Sequence, residues 1–212
     1  MRLTVRRWLG FGLLLLLPLA LPAAGFQEGK EYAAVSPPQP TNDPSKIEVV
    51  ELFWYGCPHC YHLEPQLREW LAGQPDDVDF IRMPAILGAN WELLGRARYT
   101  AELLGVDDKL HQALFDYLHR ERKRLRSVDE VRNFFVAHGV SAEDFDNTWN
   151  SFGVVAKVNR AKQMSRRYGI TGVPAFVIDG KYRTSATQAG SEDKMFEVIN
   201  MLIDKERKAR GQ

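Results

Sequence analysis

The only two cysteines among the 212 residues, Cys57 and Cys60, stand two residues apart in the run Cys57-Pro58-His59-Cys60. Before them, Ile47 to Tyr55 is a β-branched and aromatic stretch long enough for one strand buried on both faces, and Gly56 ends it. After them, Leu63, Leu67, Trp70 and Leu71 share one face of a predicted helix that Gly73 can terminate and that Pro65 should kink. Val78 to Met83 is a second apolar run, so the order strand, helix, strand implies a parallel pair with a right-handed crossover. The cysteines therefore lie where a strand feeds a helix. A bridge closing so short a loop removes little entropy from the unfolded chain and is a poor staple. A zinc site needs about four ligands, and His62, His111, His119 and His138 are scattered without a second pair at a usual spacing. Those histidines are expected on solvated helix surfaces or helix ends, and no metal is expected. Redox chemistry is the use that remains.

A helix N-terminus presents unpaired backbone N–H groups and the positive end of the macrodipole, and both favour a thiolate. Cys57 is thus the expected nucleophile, with Cys60 one turn inside. Pro58 suits the first turn, which needs no donor from it, and holds the two sulfurs close. His59 can add a positive charge or a donor beside the thiolate. Whatever stabilises that thiolate favours the reduced form, so the disulfide becomes a stronger oxidant.

The rest of the chain frames this motif. Arg2, Arg6 and Arg7, an apolar run from Trp8 to Leu21, and the small residues Ala23, Ala24 and Gly25 have the three-part layout of a secretory leader, expected to be cleaved after Ala24 or Gly25. The alternative, a membrane anchor, is disfavoured because the run falls short of the roughly 20 residues a span needs and is interrupted by Gly12 and Pro18. Without the leader, 25 basic residues face 27 acidic ones, a balance that suggests no nucleic-acid partner. Tyr32 to Val35 reads as a short edge strand, followed by an extended segment held by Pro37, Pro38, Pro40 and Pro44. From about Gly88 to Gln163 the periodicity is almost wholly helical. There Ser127 with Glu130 and Ser141 with Asp144 resemble capping boxes, and Val154 to Tyr168 marks a longer helix stopping near Gly169. Ala175 to Ile178, a type I′ turn at Asp179-Gly180, and a return at Lys181-Tyr182 form a predicted hairpin, before a last helix with Met195, Ile199, Leu202 and Ile203 on one face. Arg120, Arg122, Lys123, Arg124 and Arg126 read as a solvated connection between helices.

The run Glu51-Leu52-Phe53-Trp54-Tyr55-Gly56-Cys57-Pro58-His59-Cys60, joined to Gly172-Val173-Pro174 far downstream, resembles the DsbA family of periplasmic disulfide oxidoreductases. The resemblance covers the chain after its leader. It implies an α/β thioredoxin-like fold with an inserted all-helical domain: leader 1–25, first part of the thioredoxin-like domain 26–87, helical insertion 88–163, second part 164–212. Val173-Pro174 matches the family's cis-proline loop, which lies against the cysteines and offers backbone to a substrate peptide. Glu51 matches the family's buried acid, a costly residue without a partner and so a candidate for proton transfer with Cys60. Glu64 matches a further family acid and is expected on an exposed helix turn, where it would only tune charge.

The resemblance also implies a function. The chain would donate its Cys57–Cys60 disulfide to reduced, unfolded exported proteins through a mixed disulfide, in the periplasm, as a monomer. It would need no cofactor beyond that disulfide and would be reoxidised by a DsbB-like quinone-linked membrane protein. Two other readings stay open: an isomerase or reductant on the same fold, although no segment for the isomerases' dimerisation domain is evident, and a peptide-binding chaperone whose cysteines are incidental.

Overall fold

The strand before the cysteines organises everything around it. In a computed structural model describing residues 25–211, Ile47–Phe53 forms β2, and all seven of its residues are buried. The leader expected over 1–25 lies, up to residue 24, outside the described residues. Ala33–Ala34 forms β1, Val78–Pro84 forms β3, Ala175–Ile178 forms β4 and Tyr182–Thr184 forms β5. The sheet runs β1-β5-β4-β2-β3, with β3 parallel to β2 and β4 antiparallel on its other side.

Side-chain alternation along β2 divides the core. Ile47 and Val49, with Phe176 and Ile178 of β4, pack under α1 (Pro58–Ala72) and α8 (Glu192–Ala209). Val50 and Leu52, with Ala175 and Val177, face α6 (Phe152–Arg167). The helices between β3 and α6 are α2 (Glu92–Leu103), α3 (Asp107–His119), α4 (Val128–Ala137) and α5 (Ala142–Trp149). They pack around Phe115, Phe134, Phe135, Phe145 and Trp149, and this core continues onto Phe53, Tyr55, Cys57 and Cys60. The helical layer thus roofs the end of β2. Helix α6 runs unbroken through residue 163, joining that layer to the sheet.

Local signals in the sequence behave largely as their chemistry dictates. Ser127, Ser141 and Ser151 cap α4, α5 and α6 by accepting from the N–H three residues on. The capping box at Ser127 is only half formed, because the Glu130 carboxylate accepts from Arg126 N–H instead of from Ser127. Asp179 and Gly180 have φ of 52° and 63°, as a type I′ turn requires, and Lys181 N–H closes it on Ile178 O at 2.9 Å. The register pairs Ile178 with Tyr182, so Lys181 belongs to the connection and the return strand runs on to Thr184, past the expected Lys181-Tyr182. At Gly180 a Cβ would stand 2.0 Å from the Gln39 carbonyl oxygen, so glycine is required there for space as well as for φ. A four-residue helix, α7 (Ala186–Ala189), follows β5. The basic residues of 120–126 are exposed, around a buried Leu125.

The cost of cutting into this core follows from its packing. Leu67→Ala, at a fully buried position between α1 and the sheet, should lower the unfolding free energy by about 2–5 kcal/mol. Ser151→Ala, which removes only the α6 cap, should lower it by about 1 kcal/mol. Urea midpoints at unchanged m-value measure both, and equal losses would contradict the assignment.

Candidate active site

The two sulfurs are held one helical turn apart in unequal surroundings. Cys57 is the N-cap of α1 and Pro58 its first residue. Cys57 N–H donates to Trp54 O at 2.9 Å, folding the chain sharply after β2. At Gly56, inside that bend, a Cβ would fall 2.5 Å from the Trp54 indole, which stacks on Trp91 of the helical layer at 4.3 Å. Both cysteines are free thiols. Cys60 is fully buried, and Cys57 keeps only 9 % of its surface, so the expected nucleophile is itself largely covered. Its cover is Val173, whose carbonyl accepts from the Cys57 thiol at 3.5 Å. The Val173–Pro174 bond is cis, as is Ser36–Pro37, which carried no signal in the sequence. Pro58 and His59 are exposed.

This geometry separates the thiols chemically. The Cys57 thiol is lowered to about 6, chiefly by the hydrogen bond from Cys60, with burial opposing it. The N–H groups of Cys60 and His59 at the helix start lower it further, and the His59 charge adds least. Burial pushes Cys60 far up, and the hydrogen bond to Cys57 and the charges of Cys57 and Glu51 push the same way. One sulfur is made a thiolate near neutrality and the other is kept protonated.

Glu51 lies fully buried at the middle of the sheet, where the parallel register sets it beside Arg82. Arg82 Nε approaches its carboxylate at 3.4 Å, yet neither Glu51 oxygen accepts a hydrogen bond among the described residues. Burial and the nearby Glu64 charge push its carboxyl up to about 8, against the pull of Arg82. Glu64 is not on an exposed turn: it is 1 % exposed, faces inward from α1, and binds Arg82 Nη2 at 3.2 Å and His111 Nε2 at 2.9 Å. Burial raises the Glu64 carboxyl, but the hydrogen bond from His111 together with Arg82 and Arg68 outweighs it and holds Glu64 below the ordinary range.

His111 is likewise not a solvated helix residue. It is buried among Phe53, Tyr55 and Phe115, and its Nδ1 lies 3.0 Å from the Tyr55 hydroxyl. Its position three and four residues before Leu114 and Phe115 was the signal available in the sequence, because that spacing places it on the apolar face of α3. His119 is also anchored, through Nε2 to Tyr55 O at 2.7 Å. Arg82, the one cation of the edge strand β3, offered a similar clue. The structure therefore brings Cys57, Cys60, His59, Pro58, Val173 and Pro174 to one end of the sheet. Glu51 sits beneath them and leads to Arg82, Glu64 and His111. A groove of about 440 Å³ runs beside the motif, lined by His59, Ile170, Val173, Pro174, Thr184 and Gln188 among others. Among the described residues no group of His, Cys, Asp and Glu is placed to hold a metal ion.

Comparison with known proteins agrees with this arrangement. Residues 77–198 match the model of the DSBA-like thioredoxin domain family. The chain is 42 % identical over 191 residues to the thiol:disulfide interchange protein DsbA of Pseudomonas aeruginosa, covering 90 % of both chains. It is 34 % identical to that of Burkholderia cepacia, covering 92 % of both. Among solved structures, Pseudomonas aeruginosa DsbA superposes with a TM-score of 0.83 at 42 % identity, over 88 % of this chain and 97 % of that one. DsbA from Xylella fastidiosa gives 0.79 at 30 % identity, over 85 % and 97 %.

The unequal thiols make a labelling prediction. In the reduced protein Cys57 should be alkylated with a rate that halves as pH falls to about 6, while Cys60 stays unlabelled through neutral pH. Because the Cys57 thiolate is favoured only in the folded chain, the reduced protein should gain stability over the oxidised one as pH rises from about 6 to about 9. Mass mapping and denaturation at several pH values read these, and equal labelling of the two cysteines would contradict the assignment.

Proposed function

The chain belongs to the DsbA family of thiol:disulfide oxidoreductases, and from that membership we propose that it works as an oxidant of reduced, unfolded exported proteins in the periplasm. The observation that carries the direction is the asymmetry of the thiols, a Cys57 lowered to about 6 over a fully buried Cys60. A protein that stabilises its own thiolate stabilises its dithiol form, so its disulfide is readily surrendered. That argues against the reductant reading. Nothing in the site favours the isomerase or chaperone readings.

In the first step a substrate thiolate attacks Cys57 Sγ, the bond between Cys57 and Cys60 breaks, and Cys60 leaves with the electron pair. The leaving sulfur takes a proton in its buried position, and Glu51, whose carboxyl is pushed up to about 8, is the acid beneath it. A second substrate thiolate then attacks the substrate sulfur of the mixed disulfide and releases Cys57 as a thiolate. The substrate has lost two electrons and two protons; the enzyme has gained both electrons and carries one proton on Cys60, while Cys57 stays a thiolate and the other proton goes to solvent. The Cys60 thiol, the helix start and, least, the His59 charge hold the released thiolate, and the Val173-Pro174 backbone beside Cys57 is the wall against which an extended peptide lies. A DsbB-like, quinone-linked membrane protein reoxidises the dithiol. The arginine-headed leader supports export, the chain acts as a monomer, and the redox pair needs no further cofactor.

Oxidised protein added stoichiometrically should form disulfides in a reduced, unfolded substrate, and Cys57→Ser should abolish this. Equilibration with glutathione should give a potential well above the about −270 mV of thioredoxin, and a value at or below that would overturn the oxidant reading.

A separate outcome concerns His59. Its charge contributes least among the groups lowering Cys57, so His59→Ser should raise the Cys57 pKa by less than one unit. The potential should fall by less than about 30 mV, since one unit is worth ~1.4 kcal/mol. Thiolate absorbance against pH measures the first and glutathione equilibration the second. A larger drop would mean that the imidazole, not the helix start, holds the thiolate.

A further inference from the structure

Arg82 is the only cation in contact with Glu51 among the described residues, and it is shared. Its Nε lies 3.4 Å from Glu51, while its Nη2 donates to Glu64 at 3.2 Å. How firmly Glu64 claims Arg82 depends on what else satisfies Glu64, and the other close donor is His111 Nε2 at 2.9 Å. Arg68, at 3.9 Å, is too far for a hydrogen bond. His111 is fixed from its far side, because Nδ1 accepts from the Tyr55 hydroxyl at 3.0 Å when Nε2 carries the proton. That neutral tautomer satisfies both neighbours at once. The two carboxylates, the guanidinium and the imidazole thus form one linked set under the cysteines. It ends at a cleft of about 260 Å³ lined by Glu64, Arg68, Arg82, Asp108, His111 and Gln112, which shares no residue with the groove beside the motif.

We propose that His111 is a positioning residue for the thiol exchange: by satisfying Glu64 it leaves part of Arg82 to Glu51, and so sets the pH at which Glu51 can take the proton of Cys60. The inference rests on the role of Glu51 given above. The step it governs is collapse of a mixed disulfide by the buried thiol. The Cys60 S–H bond breaks and its proton goes to the Glu51 carboxylate. A bond forms between Cys60 Sγ and Cys57 Sγ, and the Cys57–substrate bond breaks with the substrate sulfur leaving as a thiolate. No net oxidation occurs, since one disulfide replaces another.

The charged and titratable groups facing the set come from every element around it. Glu51 touches Arg82 of β3, feels the charges of Glu64 of α1 and Arg98 of α2, and itself acts on Cys60 of α1. His111 faces Glu64, Tyr55, Arg82 and Arg98. Burial pushes His111 below the ordinary imidazole range, by more than Glu64 raises it, in keeping with a neutral donor. Without that donor Glu64 must draw on Arg82 more fully, Glu51 loses compensation, and its carboxyl moves further up.

The test uses the chain without its leader, loaded as the Cys57–glutathione mixed disulfide, with collapse followed by release of glutathione from pH 5 to 9. In the unaltered protein the rate should rise with pH in a step that Glu51→Gln removes. His111→Leu should move the midpoint up by about one unit, the low end of what one neighbouring opposite charge supplies. His111→Gln, whose amide can still donate to Glu64, should restore it at least in part. In parallel, nitrogen NMR of unaltered protein labelled in histidine should show His111 neutral, with the proton on Nε2, across pH 6 to 8. A step that survives in Glu51→Gln overturns the role of Glu51 and this inference with it. A step that depends on Glu51 but is unmoved by His111→Leu overturns the inference alone, as does a charged His111 in the NMR series should the leucine variant fail to fold.

Discussion

Two sulfur atoms on adjacent turns of backbone must share a bond in one redox state and hold very different protons in the other. For that, the environment has to change over the width of a single helical turn. Burial alone would raise both thiols, and exposure alone would leave both ordinary. The chain meets the requirement by ending a doubly buried strand at a helix start. Cys57 then stands on the N–H groups of α1, while Cys60 points back into the core formed by Phe53, Tyr55 and Phe115. The helical layer exists, in this sense, to keep water off one sulfur, and the Val173 carbonyl limits access to the other.

The same burial makes the polar residues under the sheet expensive. A carboxylate without hydrogen bonds in a protein interior costs several kcal/mol, and such a group rarely persists without a purpose. Glu51 is held there by a single ionic contact at its edge, whereas Glu64, one layer out, has both an imidazole and a guanidinium. The two acids consequently diverge, one upward toward neutrality and one downward. Pairs of like groups driven apart by their surroundings are a common means of giving one site both a proton donor and a fixed charge.

Periodicity and motif spacing made the frame legible. The alternation that buries β2, the serine caps of α4 to α6, and the positive φ at Asp179 and Gly180 each follow from a residue type and its neighbours. The redox motif and its proline partner were visible as well, since their chemistry is tied to specific residues. What escaped was lateral. His111 and Glu64 look polar and therefore exposed when each is judged alone, and only the meeting of α1, α3 and β3 shows that they satisfy one another. The cover over Cys57 is a contact across 116 residues, beyond any local pattern. The half-formed capping box at Ser127 differs for a smaller reason, because Glu130 found a nearer donor in Arg126.

The order of the sheet carries a consequence for how the protein comes into being. Strand β2, made early, is flanked by β4, and β1 at the sheet edge has, among the described residues, no partner other than β5. A chain delivered from its N-terminus therefore holds its cysteines, its acid and its helix start long before the strands that complete the sheet around them emerge. Contacts of such sequence separation form late, after loop closure across the whole helical layer. The protein passes its youth as an ordinary thiol-bearing polypeptide, and the wall beside Cys57 closes only when its last quarter has arrived.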